Sequence, residues 1–366
     1  MGNHWKHLTV PKVAISIQPP KIPNMKAAIF KQHGGPEVLE LADVPEPTLK
    51  RDQVLVQVKA CALNHLDIFV RNGLPGIEIP LPHILGNDIA GVVHEVGELV
   101  TWVKQGDEVM VHPGVSCGHC EVCLSGQDNL CREYDIIGYR RHGGYAEYVA
   151  VPGVNVFPKP SNLSWEDAAA LPLVTVTAWH MLVTRAAIKP GEDVLIHAAG
   201  SGVGSIAIQI AKLHGATVIT TASSDEKLAK ARELGADETI NYTSADWPRE
   251  VKRLTERRGV DVVFEHTGAE TWPGSIASLK NNGRLVTCGA TSGFDARTDL
   301  RQVFYRHLTI LGSFMGSKSE LLEAMKFVRA GKIRAVVDRV LPLAEARQAH
   351  ELIENRGQFG KVVLQP

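Results

Sequence analysis

A chain of 366 residues with 44% hydrophobic and 22% charged side chains is long enough for two domains with full cores, and its makeup is that of an ordinary globular protein. Its 39 basic and 40 acidic residues leave a net charge of −1, which argues against a nucleic-acid or anionic-membrane partner recognised through bulk charge. No apolar run approaches the length of a membrane span.

The first 24 residues carry prolines at 11, 19, 20 and 23 and lack the continuous apolar stretch of a secretory signal. They read as an irregular extension to a domain beginning at Met25, and the expectation is a cytoplasmic protein. From there short β segments follow at 26–30, 38–43, 54–63, 89–96 and 108–112, separated by turns such as Gly34-Gly35-Pro36 and Pro45-Glu46-Pro47. Many short strands with Gly/Pro punctuation predict a compact, barrel-like β domain, closed by a last strand before Pro152.

Within it lies Cys117-x-x-Cys120-x-x-Cys123-x7-Cys131, so four of the six cysteines fall within fifteen residues and do not form a disulfide framework. Two-residue gaps let thiolates converge on one tetrahedral ion, with Gly118 giving turn freedom and Gly126 loosening the loop before the fourth ligand. Four thiolates close the coordination sphere, which makes such a site structural. Free thiols, a disulfide pair or an iron–sulfur cluster are the other readings. Cys61 and Cys288 lie in apolar strands and read as core residues.

After Pro160 the texture changes. Ser164 reads as an N-cap with Asp167 three residues on, and a helix is expected over 171–183. Strands at 194–196, 217–221, 238–240, 260–265, 284–289 and 308–312 alternate with helices, the pattern of a doubly wound parallel sheet. A helix at 319–330, a strand at 336–340, a helix at 343–356 and a strand at 361–364 complete the chain. Between the first two parallel strands runs Ala198-Ala199-Gly200-Ser201-Gly202-Val203-Gly204, opening a helix. Strand, Gly-rich turn, helix, strand is the unit that lays a pyrophosphate on a helix N-terminus. A tight β–α turn without a ligand is the other reading, and Ser205 stands where a strict G-x-G-x-x-G would have its third glycine.

The chain from Met25 to Pro366 resembles the medium-chain dehydrogenase/reductase family. The resemblance rests on Met25-Lys26-Ala27-Ala28, Gly86-Asn87-Asp88-Ile89-Ala90-Gly91, Val96-Gly97, the cysteine lobe, Gly106-Asp107-Glu108-Val109, the cofactor turn and Gly360-Lys361-Val362-Val363-Leu364. It is most similar to the NADPH-dependent quinone and enoyl reductases. The resemblance implies an α/β protein with a GroES-like catalytic domain over 25–158 and 315–366 and a nested Rossmann domain over 159–314. The active site would lie in the cleft between them. It also implies one structural zinc per chain, on Cys117, Cys120, Cys123 and Cys131 in a lobe over 113–135. A small-molecule substrate and a homodimer or homotetramer are expected.

Zinc alcohol dehydrogenases hold a second, catalytic zinc. The resemblance places its ligands at Asn64, Asn87 and near Leu173, none of which can serve. A rearranged site from His65, Asp67 and Asp88 is conceivable; otherwise these are cleft residues and a turn-stabilising carboxylate. The second parallel strand ends Thr221-Ala222-Ser223-Ser224 without the carboxylate that binds an NAD ribose, and Lys227 follows. NADPH is therefore expected, bound by the turn residues Ala199, Gly200, Ser201, Gly202, Val203 and Gly204. By resemblance Ser223, Lys227, Tyr242 and Arg356 meet its 2′-phosphate. Ser223 also reads as a helix cap paired with Glu226, and Lys227 as a solvated helix residue.

Without a Lewis acid, hydride must go to an acceptor that is already electron-poor, such as a quinone or an alkene conjugated to a carbonyl. Asn64 at the cleft floor, with His65 beside it, and Thr175 and Thr177 on the helix near Leu173 are the candidate catalytic residues; the threonines read equally as helix packing. A zinc alcohol dehydrogenase with altered ligands and a non-catalytic NADPH-binding protein remain the alternatives.

Overall fold

The computed structural model describes residues 24–366; the extension expected over 1–24 lies, but for Asn24, outside the described residues. The chain opens with β1 (Met25–Phe30), β2 (Glu40–Val44) and β3 (Gln53–Ala62), followed by α1 (His65–Asn72), β4 (His83–Ile84), β5 (Asp88–Val96) and β6 (Glu108–Val111). The cysteine lobe contains β7 (Gly114–Val115), α2 (Glu121–Leu124) and β8 (Asp135–Ile136), and the chain returns through β9 (Tyr148–Pro152) and β10 (Val156–Pro158). Helix α1 was not expected from the sequence. It begins where the Asn64 backbone N–H donates to Asp67 Oδ2 at 2.7 Å, half of a capping box.

Helix α3 (Trp165–Ala169) starts as expected, with the Asp167 N–H bonded to Ser164 Oγ at 3.0 Å. The helix anticipated over 171–183 is shorter as an α-helix: α4 (Pro172–Trp179) passes into a π-helical turn at His180–Arg185. Then β11 (Asp193–Ile196), α5 (Gly202–Leu213), β12 (Thr217–Ala222), α6 (Asp225–Glu233), β13 (Glu238–Asn241), α7 (Trp247–Leu254), β14 (Val260–Glu265), α8 (Trp272–Ser278), β15 (Leu279–Thr287), α9 (Leu300–Tyr305) and β16 (Thr309–Gly312) alternate. Their strands form a parallel sheet in the order β13-β12-β11-β14-β15-β16. Val194, Leu195 and Ile196 are fully buried, as befits a central parallel strand covered on both faces. The order in which the chain adds strands reverses between β11 and β14, and the carboxyl ends there flank a crevice, the usual ligand position in such sheets.

Helix α10 (Lys318–Arg329) packs on α4, so this stretch, assigned from the sequence to the catalytic half, lies against the nucleotide-binding half. Then β17 (Val337–Pro342), α11 (Ala346–Glu354) and β18 (Lys361–Gln365) return to the first half. There β10-β6-β5-β3-β18-β17 form one sheet, with β9 paired to β3. The end of the chain thus closes the catalytic sheet beside the crevice, and the Gly360 N–H donates to Gly200 O of the cofactor turn at 2.8 Å.

Candidate active site

The cofactor turn is shaped by close approach. A Cβ on Gly204 would stand 2.5 Å from Ala198 O, so a side chain there would push the turn off the helix start. Ser201 caps α5, its Oγ accepting the Gly204 N–H at 2.9 Å. Ser205, in place of a third glycine, is buried and donates its hydroxyl to Gly202 O at 2.9 Å, so it needs no other partner. Gly200, Ser201, Gly202 and Val203 line a cleft of about 520 Å³ between the two halves, while Ala199 and Gly204 lie behind them and build the turn.

Ser223, Lys227, Tyr242 and Arg356 line the same cleft. The helix cap at this end is Ser224, not Ser223: Ser224 Oγ accepts the Lys227 N–H at 3.3 Å, which leaves the Ser223 hydroxyl outside the capping role. The two acids nearby are engaged elsewhere. Asp225 accepts from Asn241 Nδ2 at 3.0 Å, and Glu226 pairs with Lys230 at 2.8 Å. Lys227 Nζ donates to the Arg356 carbonyl at 2.6 Å, drawing the two cationic residues to one edge of the cleft.

At the cleft floor the chain brings together Asn64, Asp88, Leu173 and Lys361. Asn64 is the N-cap residue of α1, yet its side chain makes no cap bond. It turns into the floor, where Nδ2 donates to Asp88 Oδ2 at 2.9 Å and Oδ1 accepts from Lys361 Nζ at 2.6 Å. Lys361 Nζ also donates to Asp88 Oδ2 at 2.9 Å, with both side chains buried. The second Asp88 oxygen accepts the Leu173 N–H at 2.7 Å. Asn87 Nδ2 donates to Ile137 O at 2.7 Å. The three positions where the resemblance puts catalytic zinc ligands are therefore tied into protein hydrogen bonds.

Asp67 sits behind this floor, accepting the N–H groups of Asn64 and Gly86. Burial pushes its carboxyl up to about 7 despite those donors. His65 opens onto the cleft but is crowded by protein on its other sides. Desolvation, then His266, Lys361 and Arg356, hold its imidazole down at about 4, so the ring is neutral at pH 7. Among the described residues His65, Asp67 and Asp88 do not form a group with metal-ligand spacing.

Thr177 lines the cleft, and its Oγ1 lacks a hydrogen-bond partner among the described residues. Thr175 Oγ1 also lacks one but is fully buried away from the cleft wall. Sequence reasoning missed Lys361 and His266 as cleft residues. The signal for Lys361 was present: a lone lysine opening an apolar β segment, Lys361-Val362-Val363-Leu364. His266 Nε2 donates to His197 O at 2.9 Å, and no motif marks it.

The cysteine lobe has the geometry of a metal site. Sulfur–sulfur distances are 3.8 Å for Cys117–Cys123, 3.4 Å for Cys120–Cys123 and 3.9 Å for Cys120–Cys131. A tetrahedron with Zn–S bonds of about 2.3 Å has edges of roughly 3.8 Å, so the four thiolates fit zinc. They are too far apart for disulfides, and Gly118 and Gly126 both sit at positive φ, as the tight loops require.

Residues 50–161 match the family described as alcohol dehydrogenase GroES-like domain, and residues 202–330 match the zinc-binding dehydrogenase family. A crystal structure of an NAD-dependent alcohol dehydrogenase is 54% identical, has a TM-score of 0.91, and the match covers 93% of this chain and 100% of that one. The chain belongs to the medium-chain dehydrogenase/reductase family. An NAD-dependent alcohol dehydrogenase of Sulfurisphaera tokodaii is 34% identical over 93% of this chain and 100% of its own length. The quinone oxidoreductase of Mus musculus is 31% identical over 93% of this chain and 97% of its own. Membership in the medium-chain dehydrogenase/reductase family makes the chain an oxidoreductase. Among the described residues no helix is long and apolar enough to cross a membrane.

Proposed function

We infer that this oxidoreductase reduces an electron-poor acceptor, a quinone or an alkene conjugated to a carbonyl, with NADPH and without a metal at the reacting centre. The observation that carries this reading is the cleft floor. Asn64, Asn87 and Leu173 offer no ligand set for zinc, and the remaining carboxylate, Asp88, is bonded to Lys361, Asn64 and the Leu173 amide. Bound NADPH supplies the hydride. Gly200 to Val203 would hold its pyrophosphate at the α5 N-terminus, and Ser223, Lys227, Tyr242 and Arg356 would receive the 2′-phosphate at an edge where Asp225 and Glu226 are turned to other partners. Thr177 lines this cleft with a buried hydroxyl that lacks a hydrogen-bond partner among the described residues, a candidate contact for the bound substrate or cofactor. The Cys117, Cys120, Cys123 and Cys131 thiolates would hold one structural zinc, and none of the four lines the cleft.

A second reading, NAD-dependent alcohol oxidation, draws support from the 54% identity to a protein of that name. One experiment separates them: metal content is measured first, then NADPH and NADH oxidation is followed over quinones, enones, enoyl thioesters and aldehydes, alongside oxidation of simple alcohols. The expected result is about one zinc per chain, and NADPH-driven reduction of quinones or conjugated alkenes that survives chelators sparing the lobe. Two zincs per chain with chelator-sensitive, NAD-dependent alcohol oxidation would replace this reading with the second.

The sheet edge supports self-association. Among the described residues strand β16 pairs only with β15, and beside it Leu300, Tyr305, Phe304 and Ile310 are exposed at 71%, 75%, 59% and 39%. An open edge with apolar neighbours suits a second copy of the chain joined along β16. Sedimentation is expected to give twice the chain mass; a monomer at micromolar concentration would sink the pairing.

A further inference from the structure

We propose that Lys361 is the fixed cation of the active site, donating a hydrogen bond to the acceptor's oxygen as negative charge collects there. The proposal rests on the reductase reading above and names the group that does the work a metal would otherwise do.

A lysine at the head of an apolar strand, with its side chain 4% exposed, is an unusual feature, because burying an ammonium is costly unless it is paired. Here the pairing is built from three segments. Asp88 Oδ2 lies 2.9 Å from Nζ and Asn64 Oδ1 lies 2.6 Å from it. Asp88 is steadied in turn by Asn64 Nδ2 and the Leu173 N–H, so its charge is shared among three donors. An ammonium has three N–H bonds, and these two are its hydrogen bonds to protein among the described residues. One donor remains for a ligand.

The Lys361 side chain also lines the cleft, and its stem runs directly under the cofactor turn. A Cβ on Gly202 would be 2.7 Å from Lys361 Cδ, so the glycine there makes room for the lysine as well as for a phosphate. Both N–H groups of the Asn64 amide have protein acceptors, Asp88 Oδ2 at 2.9 Å and Asn87 Oδ1 at 3.5 Å, and its oxygen accepts from Lys361, so the amide has no free donor for an oxyanion. Asn64 is a positioning residue, and the charge it positions lies among the three lost ligand sites.

The step balances without further reagents. As hydride, carrying two electrons, reaches the electron-poor carbon, the π pair moves onto oxygen, where the Lys361 N–H stabilises it. Solvent then delivers one proton to carbon or oxygen. Lys361 takes part only as a hydrogen-bond donor, and the proton that completes the product comes from solvent.

The test uses the full protein with saturating NADP+ and a substituted phenol whose phenolate imitates an enolate or hydroquinone anion. Absorbance reads the pH at which the bound phenol ionises, independently of turnover. In wild type it should ionise at least tenfold more readily than in water; Lys361→Met should abolish the shift and Lys361→Arg should keep most of it. With the best acceptor, Lys361→Met should lower kcat about 100- to 1000-fold, the typical effect of losing one oxyanion donor, and change KM little. The double change Asp88→Leu/Lys361→Met removes both charges together, and should fold with the same loss of shift even where the single variant does not. An unchanged phenol titration in Lys361→Met, or a variant whose only defect is weaker NADPH binding, would overturn the proposal. Failure of the reductase reading would look different: the wild-type phenol shift would stand while no acceptor turned over.

Discussion

The cysteine lobe and the cleft floor solve one problem in opposite ways. In the lobe, four anionic ligands lie within fifteen residues, in a geometry that an imported cation completes. On the floor, the cation is part of the chain: Lys361 faces Asp88 and Asn64 across 273 and 297 residues of sequence. A borrowed ion brings strong Lewis acidity and depends on every ligand being present. A covalently attached ammonium is weaker but needs only a carboxylate and an amide to hold it. A catalytic site that needs to stabilise an enolate, and not to deprotonate an alcohol, can use the weaker charge.

Breaking the lobe should have the larger effect. Structural zinc contributes on the order of 10–16 kcal/mol of binding energy in small zinc-dependent folds. Cys120→Ser removes the thiolate closest to Cys123, and is expected to release the ion and unfold the segment from Cys117 to Cys131. Zinc analysis and protease sensitivity of that segment check it; a variant that retains its zinc and resists cleavage there would remove the lobe from the comparison. Asp88→Ala should have a smaller effect, about 3–5 kcal/mol, because it leaves the Lys361 ammonium buried without its counter-charge. Denaturant midpoints measure this, and zinc content should be untouched. A change under about 1 kcal/mol would mean that Lys361 finds water in place of the carboxylate.

The same contrast decides what the sequence disclosed. Ligand spacing in the lobe is local, so Cys117 to Cys131 could be read residue by residue. The cofactor turn and the alternating strands were legible for the same reason, since their patterns repeat over short distances. The floor was not. Asn64 and Asp67 carry the spacing of a helix start, but the Asn64 side chain leaves its cap position for Lys361, a partner no local pattern points to. Ser223 and Ser224 are adjacent hydroxyls, and only backbone geometry assigns the cap to Ser224 and leaves its neighbour facing the cleft. The shortened helix α4 has a like origin: an apolar run from 171 to 183 reads as one helix, whereas a wider turn begins at His180.

The long span between Asn64 and Lys361 also sets an order of assembly. All strands of the parallel sheet come from one continuous stretch, residues 193–312, whereas β3 pairs with the distant β18 through Ala62–Val363 and Cys61–Leu364. As the chain leaves the ribosome, the nucleotide-binding sheet has its full set of strands while the catalytic sheet still lacks β17 and β18. The cleft is then incomplete at both ends, because Arg356 at its edge and Lys361 at its floor come from the same last stretch of chain. The last strand to arrive brings Gly360 to the turn and Lys361 to Asp88 in adjacent residues, so docking of the cofactor turn and arming of the floor happen in one event.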